Sequence, residues 1–134
     1  MNKIALALLL TSLALPAAAK DKFKLIKADD IAAEMKSTQP PALFDANNKD
    51  TREKYGVIPG AVLLANYKKF DLKVLPDDKA KPVVFYCAGP KCMASHAAAK
   101  RAVKAGYKDV AVMSDGIMGW KDSGKPVETP AKKS

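Results

Sequence analysis

The chain has 134 residues, 49% of them apolar and 28% charged, which suits one domain with a buried core and excludes a disordered or fibrous chain. Its formal net charge is +9, but the lysines are scattered and neither an aromatic-interleaved basic motif nor an arginine-rich arm occurs, so no nucleic-acid partner is expected. A solvated basic face that attracts small anions is the expectation instead, and only two cysteines are present to serve either as a bridge or as chemistry.

The first residues read as a segment separate from that domain. Lys3 precedes the apolar run Ile4 to Leu15, then Pro16 and the small triplet Ala17-Ala18-Ala19, the three parts of a secretory signal cleaved after Ala19. The run is shorter than the roughly 20 residues a bilayer span needs. The domain is therefore expected over residues 20–128, in the periplasm or secreted, not membrane-embedded, its charge one unit lower with Lys3 removed. From Glu128 onward the chain is polar, lysine-rich and proline-broken, and residues 129–134 are assigned to a disordered basic tail.

Phe23-Lys24-Leu25-Ile26 alternates as a short strand, and Asp29-Asp30 with Ile31, Ala32 and Met35 predicts an amphipathic helix capped by the aspartates. After Pro40-Pro41, Ala42-Leu43-Phe44 predicts a strand running into Asp45, followed by the polar stretch Asn47 to Arg52 and a short helix. Gly56 to Ala61 then turns the chain into a strand at Val62-Leu63-Leu64. Residues 65–81 are polar and proline-broken, a loop with at most short helical pieces that is placed to shape a pocket mouth.

The second half repeats strand and helix more clearly. Val83 to Tyr86 predicts a strand, Met93 to Ala105 a helix ended by Gly106, and Val110 to Met113 another strand. Asp115-Gly116 leads into a short helix carrying Trp120. Short apolar runs alternating with helices predict an α/β fold with a parallel, helix-covered sheet, whose sites lie beyond the carboxyl ends of the strands. Asp45 and Cys87 both occupy that position.

The loop Cys87-Ala88-Gly89-Pro90-Lys91-Cys92 joins the strand to the helix. Successive N–H groups in such a turn converge on an anion, and the following helix adds partial positive charge, so a thiolate there is stabilised. The plainer reading, a small buried hydrophobe, stays open for Cys87. A Cys87–Cys92 bridge would close too small a loop to stabilise the fold much, so a bridge is read as regulatory or catalytic.

Within the helix, Ala94, Ala97, Ala98, Ala102 and Ala105 predict a flat face against the sheet, which sets His96, Lys100 and Lys104 on the wet side. His96 is accordingly read as a surface residue rather than a general base. Cys87, Cys92 and His96 offer three ligands without a fourth, and neither a metal nor another cofactor is expected.

Four segments in order resemble the rhodanese-like sulfurtransferase domain. They are Gly56-Val57-Ile58-Pro59-Gly60-Ala61, the strand ending in Tyr86-Cys87, Ala105 to Val110, and Asp115-Gly116-Ile117-Met118-Gly119-Trp120 with Gly124 to Val127. The likeness spans nearly all of residues 23–128. It implies a three-layer fold, a mainly parallel five-stranded sheet flanked by helices on both faces. It also implies that Cys87 accepts a sulfane sulfur, with Ala88, Gly89, Pro90, Lys91 and Cys92 as the cradle.

The chain departs from that family in ways that bear on chemistry. Pro90 stands where glycine is usual and cannot donate an N–H, and Cys92 stands where arginine, serine or threonine is common, which makes it a candidate resolving thiol. Asn47 stands where arginine usually follows the aspartate by two residues, leaving Asp45, Asn48 and Arg52 as pocket candidates, with a solvated helix arginine the plainer reading of Arg52. Lys91 is the candidate for attracting an anionic donor, and Asp115 replaces a glycine with structural consequences only. Phosphatases of this fold place an arginine six residues after the cysteine, where this chain has Met93, which argues against phosphate esters.

The leading expectation is a monomeric sulfurtransferase moving sulfur from a small anionic donor such as thiosulfate to a thiol, a cyanide-like acceptor or a redox protein. A Cys87/Cys92 thiol-disulfide protein and an inactive binding module on the same scaffold remain the alternatives.

Overall fold

Residues 22–130 are described by the computed structural model; the expected signal segment, residues 1–19, and residues 131–134 of the expected tail lie outside them. Five short apolar runs form one parallel sheet: β1 (Lys24–Ile26), β2 (Ala42–Asp45), β3 (Val62–Leu63), β4 (Val83–Tyr86) and β5 (Val110–Met113), in spatial order β1-β5-β4-β2-β3. Four helices connect them: α1 (Ala28–Glu34), α2 (Lys49–Tyr55), α3 (Ala94–Lys104) and α4 (Gly116–Asp122), with a short 3₁₀ turn at Leu72–Val74.

Strands buried on both faces lack polar alternation, and β4 and β5 obey this, being apolar and buried throughout. Alternate side chains still divide between two cores. Phe44, Val83, Phe85, Cys87, Val110 and Val112 face α3, whose Ala98, Ala99 and Ala102 pack onto them. Leu43, Val84, Tyr86, Ala111 and Met113 face the other way, toward Ala28 and Ile31 of α1 and Ile117 and Trp120 of α4. The result is the three-layer α/β arrangement, with helices on both faces, that the sequence led us to expect.

Segment 65–81 is a loop with one 3₁₀ turn, and it folds down beside α3 instead of standing free. Phe70 and Leu75 are buried in that core, the Arg101 guanidinium donates to the Phe70 carbonyl and lies over its ring, and the Tyr107 hydroxyl donates to the Pro76 carbonyl.

Three local expectations are corrected. The first turn of α1 is capped not by Asp29 or Asp30, which lie inside the helix, but by Asp115, whose carboxylate accepts from the Ala28 N–H at 2.8 Å and pairs with Lys27. A cap supplied from so far along the chain has no local signature. In α3 the buried stripe is Ser95, Ala98, Ala99 and Ala102, while Ala94, Ala97 and Ala105 are only half-buried. His96 is not on the wet side: it is half-buried, its ring edge-on to Phe23 at 5.6 Å. Phe23 arrives from ahead of β1, and the helix pattern alone carries no sign of it. At the other end of the chain Glu128 bridges Val57, and the Trp120 indole N–H holds the Pro126 carbonyl at 2.8 Å.

Candidate active site

β4 ends the apolar run at Tyr86, and the next residue, Cys87, is 1% exposed at the carboxyl end of the central strand. The chain then turns through residues 88–92 before α3 begins. This loop is pinned from below by α4: the Ile117 N–H donates to the Cys87 carbonyl at 2.8 Å and the Met118 N–H to the Ala88 carbonyl at 2.9 Å. Gly116 permits that approach, since its φ is +65° and a Cβ there would fall 2.5 Å from the Ala88 carbonyl group. Within the loop the Cys92 N–H donates to the Gly89 carbonyl, whereas the Ala88, Gly89 and Lys91 N–H groups have no acceptor among the described residues. Those three are free to meet an anion.

Cys87 and Cys92 are joined as a disulfide with their Cα atoms 6.2 Å apart. Cys87 Sγ also lies 3.2 Å from the Ser95 hydroxyl, and both residues are buried. A disulfide sulfur carries no hydrogen, so Ser95 is the donor.

Beside the loop lies a pocket of about 280 Å³. Ala88, Cys92 and Ala94 form one wall, Asn47, Asn48 and Thr51 a second, and Leu64, Ala65, Asn66 and Tyr67 a third. Segment 65–81 thus shapes the mouth through its first three residues. No charged side chain lines it. Asn48 Oδ1 is engaged with the Thr51 N–H as the cap of α2, and Asn66 Oδ1 with the Lys68 and Lys69 N–H groups. Asn47 differs: it is 7% exposed, and its Nδ2 is buried with no hydrogen-bond partner among the described residues.

The structure separates the residues singled out in the sequence. Cys87, Ala88 and Cys92 converge on the site, and Asn48 lines the pocket. Gly89 is half-buried beside the Met118 sulfur, while Pro90 and Lys91 are exposed and outside the pocket wall. Asp45 is no pocket residue. It pairs in register with Tyr86, so its side chain takes the opposite face from Cys87 and is 0% exposed. There its Oδ1 accepts from the Asn47 N–H at 2.8 Å and from Arg52 Nε at 3.0 Å. Arg52 is a tether as well: its Nη2 donates to the Asp45 and Leu64 carbonyls, and its side chain is only 13% exposed. The solvated helix arginine of the sequence reading is therefore wrong, as is its role at the pocket.

Tyr86 completes this opposite-face cluster by accepting the Ile58 N–H at 3.1 Å. Burial first, and the negative charge of Asp45 second, hold its hydroxyl far above the usual tyrosine value. The polar and aromatic pocket residues missed from sequence were Asn47, Thr51, Asn66 and Tyr67, together with Ser95 beside the sulfur. Two had a signal: Asn47 occupies the position where arginine was expected, and Ser95 is the one polar member of the stripe completed by Ala98, Ala99 and Ala102. Among the described residues no three of His, Cys, Asp and Glu converge as metal ligands, and no helix is long and apolar enough to cross a membrane.

The family model "Rhodanese-like domain" matches residues 27–123. Solved structures with the same architecture include a protein of unknown function from Rhodopseudomonas palustris, described as a possible tyrosine phosphatase, at 27% identity and a TM-score of 0.63, the alignment covering 79% of this chain and 85% of that one. The polysulfide-sulfur transferase homodimer of Wolinella succinogenes aligns at 22% identity with a TM-score of 0.64, over 80% of this chain and 79% of that one. Thiosulfate sulfurtransferase from Pseudomonas aeruginosa aligns at 22% identity with a TM-score of 0.66, over 83% of this chain but 21% of that longer protein. No curated protein matches the chain.

Proposed function

The chain belongs to the rhodanese-like domain family, and on that premise we propose that it is a sulfurtransferase in which Cys87 carries the sulfur as a persulfide. The observation that supports this most is the position of Cys87: the end of the central strand, above it a loop whose Ala88, Gly89 and Lys91 N–H groups have no acceptor, beside it a pocket walled by Ala88 and Cys92. The reduced Cys87 thiol loses its proton to solvent, and the thiolate attacks the outer sulfur of the donor. The donor's S–S bond breaks with its electron pair on the departing group, sulfite in the case of thiosulfate. The charge on Cys87–S–S⁻ is then spread over the loop amides. An acceptor thiolate or cyanide takes the terminal sulfur and restores the Cys87 thiolate. Asn47 Nδ2, a buried donor without a partner, supplies a hydrogen bond to donor or acceptor in the pocket.

The disulfide favours a second reading for the pair. Once the terminal sulfur of the persulfide takes a proton from solvent, Cys92, as a thiolate, attacks Cys87 Sγ, expels hydrosulfide and forms the bridge, so Cys87 rests until a reductant reopens it. A bridge of this kind suits an oxidising compartment, which accords with export through the N-terminal signal proposed from residues 1–19.

Intact mass and peptide mapping after exposing the reduced protein to thiosulfate, and separately to polysulfide, test the proposal. One sulfur gained at Cys87, absent in Cys87→Ser and retained longer in Cys92→Ser, is the expected result. Formation of the Cys87–Cys92 bridge in the unsubstituted protein, together with no sulfur uptake by Cys92→Ser, overturns sulfurtransfer in favour of thiol-disulfide exchange.

A further inference from the structure

The stripe by which α3 meets the sheet contains Ser95, Ala98, Ala99 and Ala102. Alanine serves three of those four positions, packs closely and has the highest helix propensity, so the hydroxyl of the fourth needs a reason. Ser95 is 2% exposed, and a hydroxyl buried among apolar groups is costly unless it is hydrogen-bonded. Its partner is Cys87 Sγ at 3.2 Å. A disulfide sulfur is a weak acceptor, so the donor is better matched to a state of Cys87 that carries charge.

The neighbouring residues sharpen this. Pro90 removes one N–H from the loop, and Ser95 is absent from the pocket wall that includes Ala88 and Cys92. The serine therefore reaches the sulfur without being part of the pocket wall.

We propose that Ser95 is a catalytic hydrogen-bond donor that stabilises the Cys87 thiolate and then holds the inner sulfur of the persulfide, replacing a donor the proline-bearing loop lacks. This rests on Cys87 being the sulfur-carrying nucleophile. Ser95 keeps its proton throughout: it donates to Sγ as the thiolate forms, as Sγ bonds the incoming sulfur, and as the terminal sulfur leaves. It holds the nucleophile's charge without lying in the path of either substrate.

The test uses the full chain kept reduced with a phosphine, following alkylation of Cys87 by iodoacetamide against pH, resolved from Cys92 by peptide mapping. In Ser95→Ala the Cys87 titration should rise by about one pH unit, making alkylation about tenfold slower below that titration. The thermal midpoint should be unchanged or higher, because alanine suits the stripe. Ser95→Thr, which restores the hydroxyl, should return the titration toward the original. An unchanged Cys87 titration in folded Ser95→Ala overturns the proposal, as does a shift that Ser95→Thr reproduces. If no donor loads sulfur on the unsubstituted protein, the sulfurtransfer reading fails, and the alkylation profile still reports whether Ser95 holds the thiolate.

Discussion

Asp45 and Cys87 stand at the same end of neighbouring strands, and from the chain alone they look like partners in one site. Their surroundings are opposite. Asp45, in register with Tyr86, turns to the face of α1, α2 and α4, where Arg52 closes over it; Cys87, one residue past Tyr86, turns to the face of α3 and the pocket. On the first face Asp45 Oδ1 and the Arg52 guanidinium answer one another and bind β2 to α2, with Asp45 Oδ2 the one oxygen there left without a partner among the described residues. On the second, the loop N–H groups and Asn47 Nδ2 are left with spare donors. The comparison shows that a single step along a strand decides whether a polar residue holds the fold or faces the chemistry.

Substitutions on the two faces should therefore separate activity from stability. The largest effect on activity is expected from Cys87→Ser, which should reduce sulfur loading to background while leaving the urea midpoint, measured under reductant, near that of the parent. Arg52→Met should do the reverse. Removing one member of a buried ion pair leaves Asp45 uncompensated, at a cost of about 3–5 kcal/mol in urea unfolding. Any sulfur loading by the fraction that stays folded should survive.

Gly116→Ala lies between the two, because Gly116 sits where α4 carries the loop. Its positive φ and the contact with the Ala88 carbonyl predict a loss of about 1–3 kcal/mol together with slower loading, as the loop is displaced. A loss of stability with unaltered loading kinetics would show that the loop does not depend on this support.

The smallest effect concerns pH. Tyr86 keeps its proton in the fold far above 10.0, the ordinary tyrosine value, whereas the unfolded chain releases it near that value. Below pH about 10 both states hold the proton and pH has no leverage; above it the unfolded state binds fewer protons, so stability falls as pH rises. Tyr86→Phe should cost about 1–3 kcal/mol at neutral pH by leaving the Ile58 N–H unpaired. The gap between parent and variant should narrow above pH about 10, as followed by circular dichroism. A constant gap would mean that Tyr86 ionises freely in the fold.

Much of this molecule was legible because its signals are local. The runs Val83 to Tyr86 and Val110 to Met113 are apolar at every position, as strands covered on both faces must be, and Gly106 closes α3 with a positive φ. Cys87 was legible for the same reason, standing at the junction of such a run with a tight loop and a helix. Arg52 was misread because its helix has no buried stripe; its burial comes from Asp45 and the Leu64 carbonyl, groups on other elements. His96 was misread because Phe23 covers it from another part of the chain.

From the sequence by itself came the alternation of strands and helices, the parallel sheet that alternation requires, and a cysteine at the end of a buried strand, since hydrophobic period and turn chemistry act over a few residues. Tertiary structure alone decided which face each strand-end residue takes, that Asp115 caps α1, that Asn47 rather than Asp45 lines the pocket, and that Ser95 meets Cys87. Those contacts depend on strand register and on how helices seat against the sheet, and these are set by packing across the whole domain.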